Sequence, residues 1–459
     1  MFRRHKCKEQ HPPSVLIFEQ REGDAVTKSR IKTVQPPVDL AKFVEATPLA
    51  ILVVVSTSLE LLRLTPIFGA RMALALPTYL AGMLWLDRKP TATRMAQWLG
   101  SASHDQLTRL VKEGEWKASA VTRAFIRLIQ EAFGAGWLIL DDTHLPRPRS
   151  KKVEGAYWDF DSAIKRNVMG YRLVVVLWTN GVWKIPVAFA FWHKKGARPQ
   201  YRSKNEIARV LLRWVLHQGI RPDYLAFDAW YASRENIAWM VKDLGLEIVT
   251  RLKCNYRLNW EGRRLRADTI GRRVLSAARA YCFSSLGDRW ARATAVQFGE
   301  VGEMTFVVVK DDLDGERGSL KYLLSSTPRL GAQDVVLEYK SRWAIEEWFE
   351  ILKQHAGLGG YQGRKLVGAE HHVALAAVAG LVLDHVRLGT GMTAAEAKMA
   401  LQRLLVVETA GGERRMAVLR PVSVRDAEEL DAVKKELRPQ LSRVAGVKLR
   451  PLDDLPHAA

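Results

Sequence analysis

Apolar and polar positions along the 459 residues change rhythm in distinct blocks. Residues 1–40 keep no sustained period and read as a flexible basic arm. From Ala41 to about Gly134 apolar residues recur at helical spacing, with breaks at Pro66, Pro77 and Pro90. Within that block Thr91–Val111 (TATRMAQWLGSASHDQLTRLV) predicts a helix, a Gly-containing turn and a second helix, with Ser103 as N-cap of the second. The same pattern serves a DNA-reading helix-turn-helix or a plain pair of packing helices.

Beyond Gly134 the texture becomes that of strands. Gly136–Leu140 (GWLIL) reads as a short buried strand ending on Asp141 and Asp142. Tyr171–Trp178 and Val182–Phe191 are β-rich runs joined by Thr179-Asn180-Gly181, a hairpin signal. Asn205–Leu216 is helical, and Tyr224–Phe227 (YLAF) is a second short strand ending on an acid, Asp228. A helix over Ser233–Leu244 and a strand over Glu247–Leu252 follow. This order predicts an α/β core with a mixed sheet. Residues 253–318 interrupt it with short β-like pieces and a dense basic run, Arg263, Arg264, Arg266, Arg272, Arg273 and Arg279. A strand at Tyr322–Ser325 and a long helix from about Ala332 resume the core. A Gly-rich loop (Gly357–Gly363) and an apolar helix from Glu370 to about Leu388 come next.

The long helix carries EYKSRWAIEEWFEILK, Glu338–Lys353. At about 100° per residue Tyr339, Arg342, Glu346 and Lys353 fall within roughly 60° of one another, beside an apolar stripe of Ile345, Trp348, Phe349 and Leu352. One side can dock on a core while its neighbour presents a phenol, a guanidinium, a carboxylate and an ammonium to one place.

Charge narrows the function. The formal net charge is +21 with a pI near 9.9, in a chain that is 48% hydrophobic and 26% charged. An excess spread over the whole chain points to a polyanionic partner. No lipidation signal or isolated polybasic tail points to a membrane, and the apolar stretches Leu49–Val55 and Pro66–Leu86 read as buried helices. Cys7, Cys254 and Cys282 are scattered and odd in number, which fits a reducing, cytoplasmic setting. His5, Cys7 and His11 match no standard zinc spacing. Arg3, Arg4, Lys6 and Lys8 lead into polar sequence, so no signal peptide is expected.

Two strands ending on acids and a third acid on a helix can assemble a site for hard divalent cations, which prefer carboxylate oxygens. The candidates are Asp141, Asp228 and Glu346. Each alone has a plain structural role open to it, as a solvated turn, an N-cap or an i,i+4 partner of Arg342. Glu347 and Glu350 compete with Glu346 for the third place.

These residues resemble the DDE transposases, the retroviral-integrase-like class of insertion-sequence enzymes, in the branch with a Y-x2-R-x3-E-x6-K signature. LILDDTHLP is similar to the strand bearing that family's first aspartate, which selects Asp141 over Asp142. LAFDAWYAS is similar to the segment of the second, which selects Asp228. SSTPRLGAQDVVLEYKSRWAIEEWFEILKQHAGLGGYQGRK resembles the region of the third acid, and the similarity spans about residues 85 to 385.

The resemblance implies an RNase H-like catalytic core with a mostly β insertion between the second Asp and the Glu, preceded by a helical N-terminal domain. It implies a site holding two Mg²⁺ ions, for which Mn²⁺ substitutes, ligated by Asp141, Asp228 and Glu346. Cleavage at the terminal inverted repeats and strand transfer into target DNA would follow, with hairpin ends common in this branch. Tyr339, Arg342 and Lys353 would contact DNA, and Arg147, Arg149, Lys151 and Lys152 are expected to add backbone contacts. A homodimer in a synaptic complex, associated with the bacterial nucleoid and with no membrane, is the implied state. The expected division is a basic arm (1–40), a helical DNA-binding region (41–134), the first part of the core (135–252), a β-rich basic insertion (253–318), the second part of the core (319–390) and a helical, dimerising C-terminal region (391–459). An RNase H-like nuclease or resolvase, or a silent DNA-binding derivative, are the rival readings.

Overall fold

Five helices open the described chain: α1 (Thr47–Leu61), α2 (Ala75–Trp85), α3 (Ala92–Leu99), α4 (His104–Lys112) and α5 (Ala118–Ala132). The computed structural model describes residues 47–65, 68, 72, 74–86, 90–148, 152–161, 165–195, 201–276, 281–283, 289–310, 320–402, 406–408, 414–416, 428, 431, 432, 434, 435 and 448–457. The expected N-terminal arm, with His5, Cys7 and His11, lies outside the described residues, as do Arg149 and Lys151. Ser103 caps α4 in a full capping box with Gln106, satisfying two backbone donors that a helix start leaves open. Leu107, Leu110 and Val111 of α4 are buried in the core, and its outer side carries His104, Asp105, Arg109 and Lys112.

The sheet begins with β1 (Trp137–Pro146), β2 (Tyr157–Asp161), β3 (Arg166–Thr179) and β4 (Lys184–Trp192). Asn180 makes the β3–β4 turn by accepting from the N–H groups of Val182 and Trp183, at 3.2 and 2.9 Å. Val174, Val175, Val176 and Leu177 are all wholly buried, a continuous apolar run that marks a strand covered on both faces. Then come α6 (Lys204–His217), β5 (Leu225–Phe227), α7 (Arg234–Ala238), whose end widens into a π turn (Trp239–Asp243), and β6 (Ile248–Leu252). β5 and β6 run parallel to β1, while β3 is antiparallel to it. The order β3-β1-β5-β6, with β4 on the far edge of β3, is the mixed sheet of an RNase H-like core.

The described strands of residues 253–318 join the core sheet. The stretch supplies β7 (Arg257–Trp260), β8 (Arg263–Arg266), α8 (Ala267–Ser276), β9 (Tyr281–Phe283), β10 (Arg289–Gln297) and β11 (Glu303–Lys310), and β11 pairs with β12 (Lys321–Ser325), which pairs with β6. The result is one sheet of twelve strands, in the order β2-β3-β1-β5-β6-β12-β11-β10-β7-β8 with β4 and β9 off the path. Sequence pattern alone reads this stretch as an interruption because its partners are remote in sequence.

The helix expected to run unbroken from Ala332 is two helices, α9 (Ala332–Lys340) and α10 (Trp343–His355). At the junction the N–H groups of Arg342, Ala344 and Ile345 bond three residues back, at 3.0–3.2 Å, the tighter winding of a 3₁₀ turn. Ser341 is pinned there, its Oγ accepting from the Tyr224 hydroxyl at 2.9 Å. α11 (Leu366–Thr390) is apolar all round, and 89% of its most apolar window is buried inside the protein. By length and composition it could cross a membrane; here it is the central helix, packed on α1, α2, α4, α5, α10 and β4. A β-carbon on Gly380 would collide with Leu352, so glycine is what lets α10 and α11 approach. The C-terminal region, expected helical, has α12 (Ala394–Gln402) but also a short hairpin of β13 (Val406–Glu408) and β14 (Arg414–Met416).

Candidate functional site

β1 does not stop at its acids, contrary to the pattern of GWLIL. Its pairing with β3 continues to Pro146, whereas β5 pairs only with Leu138, Ile139 and Leu140. Asp141 therefore lies mid-strand on one side but just past the end of the parallel partner on the other. Phe227 pairs with Leu140, so Asp228 leaves β5 next to Asp141.

Alternation along β1 sends Asp141 and Asp142 to opposite faces. Asp142 accepts from Lys204 Nζ at 3.0 Å, the Tyr231 hydroxyl at 2.8 Å and Arg172 Nη1 at 3.3 Å. It is the hub of an internal network tying β1, β3, α6 and the loop after β5, with its charge already matched. Burial and the adjacent carboxylates hold the Tyr231 hydroxyl protonated.

Asp141 meets a different surrounding. Its Oδ1 accepts from the Asp142 N–H at 2.8 Å, and its Oδ2 accepts from Arg342 Nη1 at 2.8 Å. The same guanidinium donates through Nη2 to Glu346, so Arg342 joins the strand acid to the helix acid. Arg342 Nε is buried and bonds no described residue. Burial raises the Asp141 carboxyl to about 7; Arg342 and the Asp142 N–H oppose that rise, and the charges of Asp142 and Asp228 add to it. Asp228 also helps to raise the Tyr339 hydroxyl, which burial pushes to about 12. Two carboxylates thus share one arginine, with Asp228 within electrostatic reach of Asp141 and the Tyr339 ring 5.7 Å from the guanidinium.

The competing acids of α10 are engaged elsewhere. Glu347 pairs with Lys184 at 2.8 Å, and Glu350 accepts from Gln354 at 2.9 Å. Lys353 sits further along α10 and donates to the Thr143 hydroxyl at 2.7 Å, two residues past Asp141 on the same face of β1. Burial lowers its ammonium pKa, with Asp161 opposing.

Arg147 is a correction. It is buried, its guanidinium lies 5.9 and 5.4 Å from the Tyr171 and Tyr361 rings, and its Nη2 donates to the Gly363 carbonyl at 3.0 Å. It fastens the Gly-rich loop to β1 rather than facing DNA; β1 runs on past the acids and carries Arg147 into the interior. Lys152 is exposed.

Sequence reading missed the wall beside the acids. A groove of about 630 Å³ runs along the α9–α10 junction, lined among others by Lys184, Arg251, Tyr339, Lys340, Arg342 and Trp343. Arg251 and Lys184 come from different strands, and only their alternation with buried neighbours hinted that they share this side.

Among the described residues no three acid, histidine or cysteine side chains are already gathered as a metal cluster. The donor chemistry nevertheless fits a hard divalent cation: Asp141 and Glu346 already share the Arg342 guanidinium, and the Asp228 carboxyl is within electrostatic reach of Asp141. DDE nucleases generally use such ions.

Residues 63–280 match the family model of the DDE superfamily endonucleases. The matched span includes Asp141 and Asp228 and ends before Glu346. No curated protein matches the chain. Together with the RNase H-like sheet, the matched span supports a DDE transposase-type family for the chain, a family that implies DNA as substrate.

Proposed function

We propose that the protein is a DNA transposase that binds the terminal inverted repeats of its own element, cleaves there and transfers the freed ends to target DNA. The observation that carries this reading is that Arg342 joins Asp141 of β1 to Glu346 of α10, while Asp228 leaves the end of β5 next to Asp141. In this proposal the three acids are the catalytic, metal-holding residues. Bound there, one or two Mg²⁺ or Mn²⁺ ions would supply activation of the attacking hydroxyl and neutralisation of the leaving oxygen. Arg342 is in place to pass from the carboxylates to a phosphate, since a guanidinium binds either as a planar fork and its Nε donor is unused. Tyr339, kept protonated, donates a hydroxyl hydrogen, and Lys353 with exposed Lys152 adds positive charge along the strand. A dimer that pairs two ends, hairpin ends and a nucleoid location belong to the same proposal.

The test offers purified protein, Mg²⁺ and duplexes carrying the inverted repeats that flank its gene. Wild-type protein should nick at the repeat end and join it to a second duplex, while Asp228→Asn binds with nearly the same affinity and makes no product. A variant that cuts at the wild-type rate refutes the three-acid site. Cutting without any joined product shifts the assignment to a nuclease.

A further inference from the structure

Four arginines after Lys253, namely Arg257, Arg263, Arg264 and Arg266, play no part in that chemistry, yet they are built into a defined ribbon. β7 and β8 are joined by Glu261 and Gly262, whose φ angles are both positive, 49° and 74°. Positive φ at both positions is the type I′ turn, whose twist matches paired strands. Leu258 is wholly buried and Leu265 half-buried, and this side of the ribbon packs on α8. The opposite side carries Arg257, Arg264 and Arg266, with Arg263 exposed beside the turn. Arg266 is held by Asp268 at 2.9 and 3.1 Å. Arg257, Arg263 and Arg264 form no ion pair with a described residue. The ribbon is braced by Arg234, which donates to the Arg257 carbonyl at 3.0 Å, and by Trp260, which donates to Thr294 at 3.1 Å.

Strand pairing locates it relative to the acids. Asn259 pairs with both Arg264 and Gln297, so the three share a face of the sheet. Gln297 and Ala293 lie on one face of β10, and Ala293, Val307, Leu323 and Arg251 are paired in series. Arg257, Arg264 and Arg266 are therefore on the sheet face that bears Arg251 and the groove, while Arg263 leaves the other face beside the exposed turn. Seven strand steps separate β1 from β8, roughly 34 Å at about 4.8 Å each. One turn of B-DNA is about as long.

We infer that the β7–β8 ribbon is a second duplex-DNA contact, holding the substrate about one helical turn from the phosphate that is cut. This rests on the transposase reading. A two-stranded ribbon matches the width of the major groove; Arg257 and Arg264 on one face and Arg263 at the turn, none of them ion-paired with a described residue, can reach its two phosphate walls.

The experiment uses the full chain, a repeat-end duplex and an unrelated duplex of equal length, with hydroxyl-radical footprinting and binding across salt concentrations. Arg257→Ala/Arg263→Ala/Arg264→Ala should lose protection about ten base pairs from the cut, and its slope of log K against log salt should shrink by about 0.9 for each phosphate that is no longer neutralised. Glu261→Asn keeps the turn, because Asn tolerates positive φ, and removes a negative charge from the tip; it should tighten binding several-fold. An unchanged footprint and slope in the triple variant, or unchanged affinity in Glu261→Asn, overturns the inference. Wild-type protein that binds neither duplex would instead overturn the transposase reading itself.

Discussion

Asp141→Asn should stabilise the protein at pH 8 while abolishing cleavage. The folded carboxyl titrates at about 7, against an ordinary value of 3.8, because burial outweighs its bonds to Arg342 and the Asp142 N–H. Between these values the folded chain keeps a proton that the unfolded chain has released. The contribution of this group to stability is therefore most favourable below about pH 4, falls as pH rises, and carries the full penalty above about 7. Three units at about 1.4 kcal/mol each give a penalty of ~4 kcal/mol. Asparagine removes the charge but can accept only one of the two hydrogen bonds that Asp141 accepts, a loss of about 1–3 kcal/mol. The net gain at pH 8 is about 1–3 kcal/mol. Thermal melting of both proteins in chelator at pH 5 and pH 8 measures it: the variant should melt higher at pH 8, and the advantage should vanish or reverse at pH 5. A variant that melts lower at pH 8, or a difference equal at both pH values, refutes the account of a carboxylate held charged at a cost to folding.

Asp142→Ala should act in the opposite direction, destabilising by about 3–5 kcal/mol, because it strands Lys204 and weakens the hold on Arg172 in a buried network; a melting point equal to wild type would show that the network is dispensable. Arg342→Ala should bind Mn²⁺ about ten-fold more tightly than wild type without DNA at pH 8.5, read by titration with electron paramagnetic resonance, since the guanidinium no longer competes for Asp141 and Glu346. Equal or weaker Mn²⁺ binding would mean that Arg342 does not block the carboxylates.

Features set within a few residues were legible from the chain alone: Ser103 as an N-cap, the Asn180–Gly181 hairpin turn, and Asp228 at the end of a short strand. Each depends on near neighbours in sequence, whose chemistry a local pattern records. The placing of Asp228 next to Asp141 also left a trace, because an acid that closes an apolar run stands out wherever the run folds. Tertiary structure alone decided the rest. That Asp142 is neutralised while Asp141 is held at a cost follows from which face of β1 meets Lys204 and which meets Arg342, a partner 201 residues away. Arg147 reads as a DNA contact by charge and becomes a buried fastener because β1 continues under the Gly-rich loop. The break at Ser341 sits where Tyr224 bonds its hydroxyl, and Arg263, Arg264 and Arg266 of the basic run join a ribbon only through strands that pair across the sheet. Local sequence specifies propensity and periodicity; the burial that raises a pKa, and the partner that cancels a charge, are supplied by segments no local window contains.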